Sequence, residues 1–189
     1  DKYIYGELVT DKASLQKGVA IWLSGSIIST LSVTTFLKNL VVYVKQIISE
    51  SSAELPQESI AEFQTLIIEI EDSFEFIDNT STLITSQLFG FINVFVSVLI
   101  IYLVLKYFFK REPNLIFIAV IYGFSSIPIL LNAPILFFNS IPLQGIILLS
   151  TSIFSLVCLG SGLKQVYMLR NIEAILLILF SGFSTLITL

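Results

Sequence analysis

The chain has 189 residues, a single domain's length, yet carries only 10 Lys and Arg against 14 Asp and Glu; 13% of its positions are charged, about half the ~25% of soluble domains. With 55% hydrophobic residues, a mean hydropathy of +0.91 and four charge-free runs (Gly18–Leu37, Asn79–Leu105, Pro113–Leu163, Ala174–Leu189), it reads as an integral membrane protein. One Cys, no His and a net charge of −4 exclude a soluble enzyme, a disulfide-stapled secreted domain and a nucleic-acid binder.

In chain order, the first residue is Asp1 and not Met, so a chain processed or incomplete at its start is expected. Asp1–Lys17 is mixed in charge and Gly18–Leu37 is long enough to span, which predicts a retained helix over about 17–38 and not a cleaved secretory signal. The acidic stretch that follows, about 39–80, is predicted to be a helical hairpin outside the bilayer. Leu37, Val41, Val44 and Ile48 continue the first helix, Pro56 marks the turn, and Ile60, Phe63, Ile67, Ile70, Phe74 and Ile77 form one apolar stripe on the returning helix. That stripe either packs on the first helix or offers a face to a partner. A second span follows over about 81–106.

The 51 residues of Pro113–Leu163 would run ~75 Å as one helix, against a hydrocarbon core of ~30 Å, so they must hold two spans and a reversal. Asn132-Ala133-Pro134 and Asn139-Ser140-Ile141-Pro142 supply breakers, giving spans over about 115–137 and 142–163. A fifth span is expected over about 172–189, with Glu173 tolerated in its first turn. The fold class is therefore an all-α membrane protein: one domain over 1–189, five transmembrane helices, and an extracytoplasmic hairpin between the first two. Eight of the ten basic residues (Lys2, Lys12, Lys17, Lys106, Lys110, Arg111, Lys164, Arg170) then fall on one side, which predicts a cytoplasmic N-terminus and an extracytoplasmic C-terminus.

Chemistry is sparse. Glu71, Glu75 and Asp78 share a helix face, as do Glu58 and Glu62, so a weak divalent-cation site is geometrically open to them, but no Ca²⁺-loop spacing accompanies them and a solvated acidic face is the expected reading. Metalloenzyme motifs fail for want of His and paired Cys, and an activated nucleophile cannot be assembled without His or a carboxylate inside the spans, so no catalysis and no cofactor are expected. No Asp, Glu, Lys or Arg lies in the middle of a span, which speaks against a transporter or channel. Asn93, in the middle of the second span, is read as interhelical glue. Pairs of small residues four apart (Gly25 and Ser29, Thr151 and Ser155, Ser181 and Thr185) are read as packing signals.

The most distinctive run is Tyr122-Gly123-Phe124-Ser125-Ser126-Ile127-Pro128, in the third span after the basic loop Lys110-Arg111-Glu112-Pro113-Asn114. Pro128 should free the carbonyl about four residues earlier, near Phe124, with Ser125 or Ser126 compensating, and kink the helix. Gly123 should admit a neighbouring backbone, the second or fifth span being expected there, with Gly123→Ala expected to be mild. This run resembles the Yip family, five-span membrane proteins named for interacting with Ypt/Rab GTPases, whose third span carries Tyr-Gly-Tyr-Ser-x-x-Pro; here the second Tyr is Phe124. The resemblance extends to the five spans, the basic turn before the third, and Gly160-Ser161-Gly162-Leu163 at the end of the fourth. Eukaryotic members carry Asp-Leu-Tyr-Gly-Pro ahead of the first span, where Ile4-Tyr5-Gly6-Glu7 stands here; with the long hairpin, this implies a prokaryotic or archaeal relative in a cell membrane. What the resemblance implies is a non-enzymatic scaffold, acting in membrane organisation or trafficking through membrane-protein partners or self-association. The family name implies a GTPase partner that no residue here independently supports. An accessory subunit of a larger membrane complex, or a small transporter or channel, are the alternatives.

Overall fold

The computed structural model describes residues 4–51, 62–63, 65–69, 71 and 80–187, and the regular elements among them are all helical. A short helix α1 (Ile4–Thr10) precedes α2 (Ser14–Ser51), α3 (Thr80–Leu103), α4 (Leu115–Ser125), α5 (Ile141–Tyr167) and α6 (Asn171–Ile187). A π turn at Val104–Phe108 prolongs α3, and a 3-10 segment at Ile127–Phe137 prolongs α4. Among the described residues, four rods are long and apolar enough to cross a membrane: Ser14–Glu50, Ile84–Phe108, Leu115–Phe137 and Ile141–Tyr167. The 17 residues of α6 rise only ~25 Å, short of a ~30 Å hydrocarbon core.

Local chemistry sets the ends. Asp11 opens α2 by accepting from the Ala13 amide at 3.0 Å and the Ser14 hydroxyl at 3.3 Å, and it holds Lys17 at 3.0 Å. Those bonds, the Ala13 amide first, pull its carboxyl below the ordinary value. Asn114 caps α4 by accepting from the Ile116 amide at 2.8 Å. Pro142 lies in the first turn of α5, where no backbone donor is required. That helix stops at Met168, which is left-handed at φ 50. Glu173 reaches back to the Arg170 amide at 2.8 Å and so starts α6.

The reversal between α4 and α5 departs from expectation. Asn132-Ala133-Pro134 does not turn the chain, because the 3-10 segment runs through it; the turn is made by Phe138–Ser140 alone. Side chains on neighbouring helices, Ser32 and Thr151 among them, hold this stretch in place.

Fully buried Ile101, Leu105, Ile118, Ile121, Leu163 and Leu177 draw α3, its π turn, α4, α5 and α6 together near one end of the bundle. At that end Arg111 donates to the Met168 carbonyl at 3.4 Å, and the Tyr167 hydroxyl bridges the Asn114 amide and carbonyl at 3.3 and 3.2 Å. Lys106, Lys110, Arg111, Lys164 and Arg170 all belong to these tied segments, which make this the basic end. The flanks carry exposed Phe89, Phe95, Ile146 and Leu149, an exterior suited to lipid.

The 38 residues of α2 rise ~57 Å and outrun the hydrocarbon. On the projecting part, Ile67 packs against Val41, flanked by Leu37, Val44 and Ile48. Lys45 donates to both carboxylate oxygens of Glu71 at 2.7 Å. Both partners of that pair are about half exposed, so it contributes about 0.2–1 kcal/mol at most and the apolar contact holds Ile67 to α2 more firmly. Phe63, expected on the same buried stripe, is 47% exposed: it misses the seam that Ile67 enters. Ile60, Ile70, Phe74 and Ile77 lie outside the described residues. Ile67→Ala should therefore destabilise the protein by about 2 kcal/mol and Phe63→Ala by less than about 0.5 kcal/mol, read from unfolding of the purified protein in detergent.

Candidate functional site

The candidate site is the seam between α2 and the third rod, residues 115–137. Gly18, Gly25, Ser32 and Asn39 recur every seven residues along α2, a spacing that keeps one face of a helix against a gently supercoiled neighbour. Each meets something specific. Gly18 lies under Gly123, so closely that a Cβ on Gly123 would stand 2.5 Å from the Gly18 carbonyl oxygen. Gly25 faces the Ser126 carbonyl, and the Ser32 hydroxyl donates to the Asn132 carbonyl at 3.0 Å. Asn39 donates to the Gln144 side-chain oxygen at 3.3 Å.

The contacts of Gly18 and Ser32 lie 14 residues apart on α2, a rise of ~21 Å in α geometry. Their counterparts Gly123 and Asn132 are separated by only nine residues, which as α-helix would rise ~13 Å but, with the part from Ile127 at the 3-10 rise, cover ~16 Å. The 3-10 stretch thus brings the two rods closer to register. It also aligns Ser126, Ile129, Asn132 and Ile135 in one row, since residues three apart eclipse in this geometry. Ser126, Asn132 and Ile135 are buried accordingly.

Pro128 carries no amide donor. In a 3-10 helix the carbonyl it leaves open is three residues back, at Ser125, and that oxygen accepts from the Ser155 hydroxyl of α5 at 2.7 Å. This corrects the expected arrangement, in which the open carbonyl lay near Phe124 and was answered from within the helix. The hydroxyls of Ser125 and Ser126 instead both donate to the Tyr122 carbonyl, at 2.7 and 3.2 Å. Further along, Thr151 donates to the Asn132 side-chain oxygen at 2.6 Å. Gln144, fully buried, donates to the carbonyls of Ile135, at 3.1 Å, and Phe138.

The other sequence-derived residues fall nearby. The Tyr122 hydroxyl pairs with Ser97 on α3, and Ser97 donates to the Asn93 side-chain oxygen at 3.4 Å, linking Asn93 to the motif. Phe124 packs beside Gly18. The helix closest to Gly123 is the first span, in place of the expected second or fifth, and its own glycine makes that approach. Tyr5 of α1 docks where Gly162 leaves space: a Cβ there would meet Ile121 at 2.5 Å and the Tyr5 ring at 3.0 Å. The Tyr5 amide donates to Gln165 at 3.2 Å. Burial, with the Cys158 thiol alongside, raises its phenol to about 12.

Two cavities flank α2 and α3, one of about 210 Å³ bounded by Leu15, Trp22, Phe95 and Tyr122, the other of about 390 Å³ bounded by Leu23, Leu31, Ile84 and Gln87. Among the described residues no group of three from Cys, Asp and Glu is placed to hold a metal ion. Comparison with known protein families, curated proteins and solved structures gives no match.

Gly123→Ala should lower thermal stability and push α2 from the third rod, since its methyl meets backbone that cannot rotate away; Gly18→Ala, whose Cβ finds Val120 at an ordinary 3.5 Å, should be tolerated. In a double-mutant cycle, Ser155→Ala should cost about 1–3 kcal/mol by orphaning the Ser125 carbonyl, and much less in a Pro128→Ala background that restores an amide donor.

Proposed function

We propose that the chain is a non-enzymatic, five-span membrane scaffold of the Yip type, with its N-terminus and basic end in the cytoplasm and the acidic hairpin outside. The observation that carries this reading is the closure of the third rod: its polar groups bond to side chains and carbonyls of the same chain, which favours a fixed bundle over a solute path. The cavities support it too, being apolar apart from Tyr122 and Gln87.

Tyr5 adds a second strand of support. It anchors α1 against α4 and α5, so the segment ahead of the first span is held as a platform while Gly6 faces open space. The described segments that carry Lys12, Lys17, Lys106, Lys110, Arg111, Lys164 and Arg170, seven of the ten basic residues, gather around the same end, consistent with retention of positive charge in the cytoplasm. In this reading α6 is the fifth span, its described residues accommodated by local thinning of the bilayer.

In native membranes, a photo-crosslinking residue at Gly6 should capture a defined membrane or membrane-associated protein, and Tyr5→Ala should abolish capture by releasing α1. In a Cys158→Ser background, single cysteines at Lys12, Lys110 and Arg170 should be protected from an impermeant thiol reagent added outside, while one at Glu58 labels. Outside labelling at Lys110 overturns the orientation; solute flux through proteoliposomes without any protein adduct overturns the scaffold.

A further inference from the structure

From the inner groove and the basic end together we infer that the protein binds an anionic phospholipid, its acyl chain between α2 and α3 and its phosphate on Lys106. This rests on the membrane-spanning reading alone and not on the scaffold role.

The groove is the 210 Å³ cavity, walled by Leu15 and Trp22 of α2, Phe91, Phe95 and Val98 of α3, and Tyr122 of α4. Trp22 and Phe91 meet edge to face at 5.4 Å and bridge the two helices. On the basic side of that bridge the helices part, leaving a cleft with an apolar lining apart from the Tyr122 hydroxyl. Leu15 lies one residue into α2 and Trp22 eight, so the cleft begins at the helix end and reaches ~12 Å inward, the depth of one leaflet's acyl region.

The α3 wall runs on toward the basic end. Phe91, Phe95, Val98 and Tyr102 step by four, three and four along one face, and Lys106 follows about one turn beyond Tyr102. The π turn widens the helix there, a distortion that recurs at functional sites. The Lys106 ammonium stands 5.6 Å from the ring centroids of both Tyr102 and Tyr107, with no carboxylate within salt-bridge distance among the described residues. The rings orient the cation without neutralising it. Lys110 and Arg111 follow on the same loop, and Arg111 is tied to the Met168 turn beside Arg170. Exposed Tyr107, Phe108 and Met168 border these cations, the mixture of amphipathic and basic groups that sits at headgroup level. An apolar cleft open toward lipid, whose α3 wall leads past Val98 and Tyr102 to an ammonium with no carboxylate partner among the described residues, fits a phosphate-bearing lipid by shape and charge.

The chain's one Trp, Trp22, lines the cleft and reports on it. The full-length protein is reconstituted in phosphatidylcholine vesicles containing brominated phosphatidylglycerol or, at equal mole fraction, brominated phosphatidylcholine, and Trp22 quenching is measured. Brominated phosphatidylglycerol should associate about fivefold more strongly, the worth of one cation at a membrane surface. Lys106→Gln should remove that preference and leave quenching by phosphatidylcholine unchanged, while Lys106→Arg retains it. Ala119→Phe, filling the cleft from α4, should reduce quenching by both lipids. Equal quenching by both in the unmodified protein overturns the headgroup site. Absence of quenching by either means that protein, not lipid, fills the cleft and overturns the proposal as a whole.

Discussion

A backbone carbonyl inside hydrocarbon has no water to turn to, and the arrangement of this bundle follows from that constraint. Pro128 opens the Ser125 carbonyl at the point where α4 gives way to 3-10 geometry, and a hydroxyl from another helix is brought to meet it. The same solution recurs along the rod: Ser32 on the Asn132 carbonyl, Gln144 on those of Ile135 and Phe138. Each such bond contributes about 1 kcal/mol or less in a membrane protein, whereas an unanswered group costs several. Their importance therefore lies in excluding other arrangements more than in adding stability.

Close approach is the second half of the same problem. The Gly18 and Gly123 backbones touch because Gly123 carries no side chain, and this sets the separation at which the hydroxyls and amides further along can reach across. Small and polar residues on α2 thus have distinct jobs at successive heptad positions: Gly18 and Gly25 bring the rods together, while Ser32 and Asn39 fasten them.

Much of the architecture was legible because hydropathy and charge are read over long windows. The charge-free runs mark the apolar rods, and the apolar stripe at Val41 anticipates its contact with Ile67. What escaped was information carried by pairs of residues far apart in sequence. Asn132 and Pro134 look like breakers because nothing local reveals that Ser32 and Thr151 will hold that stretch in 3-10 form. Gln144 has the same signature as Asn93, a lone amide in an apolar run, and the logic applied to one would have found the other. The recurrence of Gly18, Gly25, Ser32 and Asn39 was also present in the sequence, but hidden by a chain so rich in Ser and Thr that fourfold spacings arise freely. The correct neighbour for Gly123 could be identified only from packing in three dimensions.

The 3-10 segment also bears on the bilayer itself. Over its 11 residues it is ~5 Å longer than the same stretch wound as α-helix. The third rod is therefore suited to a thicker hydrocarbon layer than its residue count implies. Hydrophobic length biases a membrane protein's distribution between bilayers of different thickness, so the winding of a single helix, and not only its number of apolar residues, enters into which bilayer fits the molecule.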